Sequence, residues 1–204
     1  MTRNKQQLTL FQRIENFHPY ETMLYLGMFG SGLIFLFLTF AFLFSSRNLL
    51  AGMNQTVPIA FLISTFLLVV SGFSATSIRI SYQEENSEKL LTSLRNTVFL
   101  GLIFTVLQVI GWYELEAKGI KFTGIPSGSF LYVLSGIHIF HLLGAMIFGL
   151  ILYSQLVKSQ KDEIQKLIFH TNPFEKMRVR LFTFYWHFMD GIWLILFLLF
   201  VISF

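Results

Sequence analysis

Cysteine is absent from the 204 residues, which excludes a disulfide framework, a thiolate metal site and a cysteine nucleophile. Charge is the next scarcity. Asp, Glu, Lys and Arg make up 13% of the chain, against roughly 25% in a soluble domain. A surface so poor in charge cannot face water over a whole globule, and a soluble enzyme is excluded on that ground. Apolar bulk stands in its place: 54% hydrophobic residues, 25 Phe and a mean hydropathy of +0.63. With 17% aromatics the profile is the reverse of a disordered one. The net charge of +4 and pI near 9.4 need not signal nucleic acid, because in a membrane chain basic residues mark cytoplasmic loops. Nucleic acid is not an expected partner.

A helix needs roughly 20 apolar residues to cross a hydrocarbon core of about 30 Å. Five stretches meet that length: about Thr22 to Phe44, Val57 to Ser77, Thr97 to Tyr113, Ser129 to Leu156 and Leu181 to Phe204. They are too long for barrel strands, and backbone groups in lipid must be satisfied within the segment. The expectation is an all-α membrane protein, one transmembrane domain over residues 1–204, built as a bundle of five helices. Arg3, Lys5, Arg13, Arg79, Lys89, Arg95, Lys158, Lys161, Lys166, Lys176, Arg178 and Arg180 fall on one side, and only Arg47, Lys118 and Lys121 on the other. This bias predicts a cytoplasmic N-terminus and a periplasmic C-terminus. The first run is too long for a secretion signal and lacks a cleavage site, so it reads as a retained helix. Trp112, Tyr113, Tyr153, Tyr185 and Trp186 lie near span ends, where interfacial aromatics gather. In the longest loop, about 157–180, Ile164, Leu167 and Ile168 have helical spacing and suggest that the fourth helix continues out of the bilayer until Asn172-Pro173. His18 and His170, in or near loops, read as solvated.

Ionisable groups within the hydrocarbon are costly and are functional candidates by default. Asp190 lies nine residues into the fifth span, about 14 Å deep, with His187 three residues earlier on the same face. His138 and His141 share one face of the fourth span at similar depth. The geometric expectation is one hydrogen-bonded cluster of His138, His141, His187 and Asp190, with Asp190 accepting from an imidazole or staying protonated. Three roles compete for it: helix glue, a proton or lipid-headgroup role, and haem or metal ligation. Against ligation, no span carries the Glu-x-x-His pattern of di-iron bundles. Small residues four apart, Gly27 with Ser31, Ser71 with Ala75 and Ala145 with Gly149, suggest close helix approach. Gln108 reads as an inter-helix hydrogen bonder. No phosphate loop, nucleophile elbow or serine triad is present.

Three of these segments carry a resemblance. Tyr185-Trp186-His187-Phe188-Met189-Asp190-Gly191-Ile192-Trp193 resembles the last-helix signature of haem–copper oxidase subunit III, Tyr/Phe-Trp-His-Phe-x-Asp-x-x-Trp. Ser135-Gly136-Ile137-His138-Ile139-Phe140-His141-Leu142-Leu143-Gly144 is similar to the family's Thr-Gly-x-His-x-x-His-x-x-Gly, with Ser135 in place of Thr. Leu100-Gly101-Leu102-Ile103-Phe104 with Gln108 resembles Leu-Gly-x-x-Phe-x-x-x-Gln. The three occur in the family's order, and the resemblance runs over about residues 20–204 in the short five-helix bacterial form. Two departures stand out. The family's buried Glu in the first of these helices is missing, with Gly27, Gly30, Ser31 and Gly32 in that region, and Gly111 replaces a Glu three after Gln108.

The resemblance implies an accessory subunit of a proton-pumping oxidase that reduces oxygen to water, bound to the catalytic haem–copper subunit I and the other oxidase subunits. It implies no cofactor on this chain, haem and copper in the partners, phospholipid in a cleft between helix groups, and a place in the bacterial inner membrane, with a larger respiratory supercomplex as a further assembly. It leaves Gln108, Gly136, Gly144, Tyr185, Trp186 and Trp193 as packing residues of the family motifs. Two alternatives stay open: a haem-bearing anchor using His138 or His141 with His187, and a subunit III-like partner of a nitric oxide reductase.

Overall fold

The computed structural model describes residues 18–46, 57–124 and 126–203. Arg3, Lys5, Arg13 and Arg47 of the charge count lie outside them. The order is α1 (Pro19–Ser46), α2 (Ile59–Gln83), α3 (Ser87–Ala117), α4 (Pro126–Ser159), α5 (Glu163–Thr171) and α6 (Pro173–Ser203). Five of these helices, all but α5, are long and apolar enough to cross a membrane, and no strand occurs among the described residues.

The helices outrun the apolar spans. With 31 residues, α3 is about 46 Å long, against a hydrocarbon core of about 30 Å. Its ends carry Glu88, Lys89, Glu114 and Glu116, which are too polar for the span but good helix formers. Local chemistry sets the limits. Asn86 Oδ1 accepts from the Lys89 amide at 3.0 Å and opens α3. Gly119, at φ +83°, closes it: the amides of Gly119 and Ile120 bond the carbonyls of Glu116 and Leu115, a Schellman ending that requires the left-handed conformation glycine tolerates. Asn172 Oδ1 accepts from the Phe174 amide at 2.9 Å, with Pro173 as the first residue of α6.

The expected continuation of the fourth helix is corrected here. The helix stops at Ser159, and α5 is separate, because Asp162 accepts from the Ile164 amide at 3.0 Å and starts a new helix. Ile164, Leu167 and Ile168 share its outer face and are exposed, while Phe169 turns inward onto Tyr82.

Helix α6 is central: α1, α2 and α4 pack on it, α3 packs on α2 and α4, and α1 also lies on α4. Aromatic rings fill the middle. Trp193 meets Phe104 and Phe61 edge-on at 5.1 and 6.0 Å, and Phe200 meets Phe42 edge-on at 5.7 Å. Such pairs contribute about 0.5–1.5 kcal/mol each beyond their burial. Close approach is concentrated at a few glycines. A Cβ on Gly111 would stand 2.2 Å from the Phe61 ring, and one on Gly149 would stand 2.8 Å from Val98. Gly27 meets nothing within 4 Å, so the expected Gly27–Ser31 contact face is not formed at Gly27.

Candidate functional site

The four mid-depth polar residues are not joined into one cluster, which corrects the expectation. His187 and Asp190 share a face of α6, with Nδ1 and Oδ2 3.7 Å apart, too far for a hydrogen bond. They face α2. His187 Nε2 lies 3.2 Å from Thr76 Oγ1, and the Asp190 carboxyl rests on Gly72, where a Cβ would stand 2.8 Å from Oδ2. Thr76 also donates to the Gly72 carbonyl, so the tautomer that satisfies this contact has His187 Nε2 as the donor.

His141 faces the other way, toward α1. Its Nδ1 lies 2.8 Å from the Ile137 carbonyl, an acceptor, which assigns the proton to Nδ1. Its Nε2 is 2.9 Å from Ser31 Oγ. Ser31 belongs to the region where the family resemblance has its carboxylate, so a hydroxyl stands there as the partner of the imidazole. His138 is fully buried among the rings of Phe35, Phe104 and Trp193. Its two nitrogens and Asp190 Oδ1 have no hydrogen-bond partner within the described residues. The four diverge because α1 and α2 flank α6 on different sides. Three residues of sequence spacing fix a shared face on one helix, but not which neighbour that face meets.

The remaining motif residues turn inward as links between helices. Gln108 Nε2 donates to Ser64 Oγ at 2.7 Å, joining α3 to α2. Trp193 Nε1 donates to Thr65 Oγ1 at 2.9 Å and Trp186 Nε1 to Ser71 Oγ at 3.1 Å, joining α6 to α2. Tyr185 donates to the His141 carbonyl at 3.3 Å, joining α6 to α4. Trp112 Nε1 donates to Ser135 Oγ at 2.9 Å, and a Cβ on Gly136 would touch the Trp112 ring at 3.8 Å. Two expectations are corrected. Trp186, expected near an interface, is wholly buried, because its ring packs over Gly101 of α3, where a Cβ would stand 2.8 Å from it, and its Nε1 bonds Ser71 of α2. Gly144 meets nothing within 4 Å, since it lies on the outward face of α4 with Phe140 and Ile147.

A second polar site gathers where α1 and α6 begin and α2 ends. A cavity of about 490 Å³ is lined by His18, Glu21, Arg79, Lys176 and Arg180. Glu21 is 5% exposed and ion-paired with Arg180. Nearby, Arg178 is held by Glu175 at 3.1 Å and donates to the side-chain Oε1 of Gln155, with the Phe148 and Phe174 rings beneath its guanidinium. His170 is not simply solvated: its Nε2 lies 2.9 Å from the buried Ser87 hydroxyl, and Tyr82 donates to the Phe169 carbonyl beside it at 2.9 Å. Glu21 and Tyr82 escaped the sequence reading because both sit at helix ends, where a polar residue is expected to be in water.

Against known proteins, the family model for cytochrome c oxidase subunit III matches residues 17–203. A probable cytochrome c oxidase subunit 3 of Rickettsia prowazekii is 32% identical over 136 residues, 66% of this chain and 45% of that relative. Cytochrome c oxidase subunit 3 of Loxodonta africana is 32% identical over 140 residues, 67% of this chain and 48% of its own length. The human protein of the same name is 30% identical over 139 residues, 67% of this chain and 47% of its own length. The matched part thus spans about half the length of these relatives.

Proposed function

This chain belongs to the cytochrome c oxidase subunit III family, and from that premise we propose that it is an accessory subunit of a haem–copper terminal oxidase, without a redox centre of its own. The observation that carries this reading is how the motif side chains are used. Gln108, Trp186 and Trp193 spend their donors on hydroxyls of α2. These residues hold one membrane domain together, and the domain in turn braces the catalytic subunit. A haem anchored by His138 or His141 with His187 is not favoured, because His141 is engaged by α1, His187 by α2, and His138 is enclosed by three rings.

The partners in this reading are the catalytic haem–copper subunit I and the other oxidase subunits, in the inner membrane of a bacterium, with a larger respiratory supercomplex as the further assembly. The exposed apolar faces of α1, α2 and α3 supply area for subunits and lipid. Phospholipid is the expected small partner. The cavity with Arg79, Lys176 and Arg180 against the single carboxylate Glu21 has the charge balance for an anionic headgroup. The N-terminus faces the cytoplasm, by the excess of basic residues at that end.

The test is a mild-detergent pull-down on a tagged chain, with visible spectra of the complex and of the separated chain. A haem–copper subunit among the partners, haem in the complex and a colourless separated chain are expected. Stoichiometric haem retained by the separated chain, or a nitric oxide reductase as the partner, would overturn the reading.

A further inference from the structure

We propose that the groove between α2 and α6 at His187 and Asp190 is a docking site for a transmembrane helix of another subunit, which brings a side-chain N–H or O–H donor to mid-depth. The site rests on the accessory-subunit reading for its partner, and adds to it the residues engaged and the chemistry required of them.

The groove has a volume of about 330 Å³, with Gly72, Phe73 and Thr76 of α2 and His187, Asp190 and Gly191 of α6 among its walls. It lies at mid-depth, since Gly72 is the fourteenth of the 25 residues of α2. What this chain supplies there is acceptors. The Thr76 hydroxyl donates to the Gly72 carbonyl at 3.1 Å, and the His187 Nε2 proton is directed to Thr76 Oγ1 at 3.2 Å. The His187 Nδ1 lone pair and the Asp190 carboxyl remain, with Nδ1 and Oδ2 3.7 Å apart. With the carboxyl ionised, the groove has no donor. With it protonated, its one proton cannot close a gap of 3.7 Å, which exceeds the length of a hydrogen bond. Asp190 Oδ1 also has no partner among the described residues, in a residue only 8% exposed. A donor entering beside Nδ1 and Oδ2 answers this deficit.

A polar group left without a partner in hydrocarbon is costly, and ionisable side chains at this depth pair with groups that face them. Acyl chains carry no donor, and the donors of lipid headgroups stay at the membrane surface. A crossing helix does bring polar side chains to this level. The surface around the groove has the length for one. Leu62, Phe66, Val69, Phe73 and Ile80 are exposed and share one face of α2, and Leu62 to Ile80 covers 18 positions, about 27 Å of a core of about 30 Å. Leu194 and Leu198 extend the exposed apolar surface along α6. Glycine keeps the entrance open. A Cβ on Gly191 would meet nothing within 4 Å, so the approach beside Asp190 is clear, and a Cβ on Gly72 would stand 2.8 Å from Oδ2 and displace the carboxyl.

The experiment is site-specific photocrosslinking in the complex. Phe73 is 73% exposed at the groove, so photoreactive benzoylphenylalanine can replace it without entering the core. The tagged full chain is irradiated in its own membranes, the complex is extracted in mild detergent, and the linked peptide is identified by mass spectrometry. The expected product is a link to one other subunit, within a membrane-spanning peptide that holds a donor side chain at mid-span. Three substitutions are then added singly: Asp190→Asn, which keeps a carbonyl oxygen; Asp190→Leu, which keeps the branching but no acceptor; and Gly191→Leu, which fills the entrance. Asp190→Leu and Gly191→Leu are each expected to lower the yield of the link about fivefold, the size of one hydrogen bond between membrane helices, and Asp190→Asn to keep it. Gly191→Leu enters open space, so it reports on docking even where Asp190→Leu impairs folding. Links to lipid alone, to a second copy of this chain or to a spanning peptide with no mid-span donor would overturn the site. So would an unchanged yield in Gly191→Leu. Haem in the same extract separates the two readings: haem without the link sinks the docking site alone, and the link without haem sinks the oxidase reading alone.

Discussion

Ser31 has one hydroxyl proton and two acceptors in reach, the Gly27 carbonyl at 2.8 Å and His141 Nε2 at 2.9 Å. Since the Ile137 carbonyl fixes the His141 proton on Nδ1, a neutral ring can be satisfied at Nε2 only by Ser31. Ser31→Ala removes that donor from the α1–α4 contact. Inter-helix hydrogen bonds in membranes average about 0.6 kcal/mol and reach about 1.7 kcal/mol. The expected outcome is a modest loss of thermal stability in detergent of that order, with the helical circular dichroism signal unchanged. At this scale the sequence was informative about depth and silent about direction. Counting residues placed His141 and His187 within the membrane, because 1.5 Å per residue is a property of any helix. It could not say that one would meet Ser31 and the other Thr76, which depends on how α4 and α6 are rotated against α1 and α2.

Glu114 works on a different helix from its own. Its two carboxylate oxygens accept from the Ile59 and Ala60 amides at 2.8 and 3.2 Å, so the last turn of α3 caps the first turn of α2 across the bundle. Pro58, at the N-cap position, has no side-chain oxygen to do this. Losing an N-cap acceptor costs about 0.5–2 kcal/mol. Glu114→Ala is therefore expected to speed hydrogen exchange at the Ile59 and Ala60 amides while leaving the middle of α2 protected. The sequence showed Glu114 only as an acid at a span edge, because its cap lies 55 positions away. The short helix α5 offers a second test. Burial lowers the pKa of His170 from the ordinary 6.5, against the opposing pull of Glu85 and of the Tyr82 hydrogen bond, with Lys166 lowering it further. The folded state thus prefers the neutral ring, bonded to Ser87. The sign follows: this contribution is whole above pH 6.5 and is lost as pH falls through 6.5 toward the folded value. His170→Gln keeps a hydrogen-bonding side chain and removes the titration. Its Tm is expected to drop less than the wild-type Tm between about pH 7.5 and about pH 5.5, measured by thermal unfolding in detergent.

Across the whole molecule, the fold was legible from hydropathy because lipid permits few alternatives: five runs of sufficient length in a chain with little charge have to be helices. The separate α5 and the extended helix ends were not legible, since they are fixed by caps and turns outside the hydrocarbon. The structure also makes the charge asymmetry a property of two ends. Glu21 of α1 meets Arg180 of α6, Gln155 of α4 meets Arg178, and Tyr82 and Ser87 meet the α5 segment, so these termini share one end of the bundle. Arg79, Lys89, Arg95, Lys158, Lys161, Lys166, Lys176, Arg178 and Arg180 belong to that end, while Lys118 and Lys121 belong to the other. Short loops of a membrane protein retain basic residues on the cytoplasmic side, and this sets a prediction about the molecule as a unit. The chain has no cysteine, so any cysteine introduced is unique. A membrane-impermeant maleimide added to intact cells whose outer membrane is permeabilised is expected to label Thr123→Cys, at the end with few cations. The same reagent should label Lys161→Cys only after the inner membrane is opened. Both positions are exposed and lie between helices, and neither substitution reverses the charge bias. The opposite labelling pattern would invert the chain in the membrane. It would also move the Arg79, Lys176 and Arg180 cavity to the outer side of the membrane, because that cavity opens at the cation-rich end of the bundle.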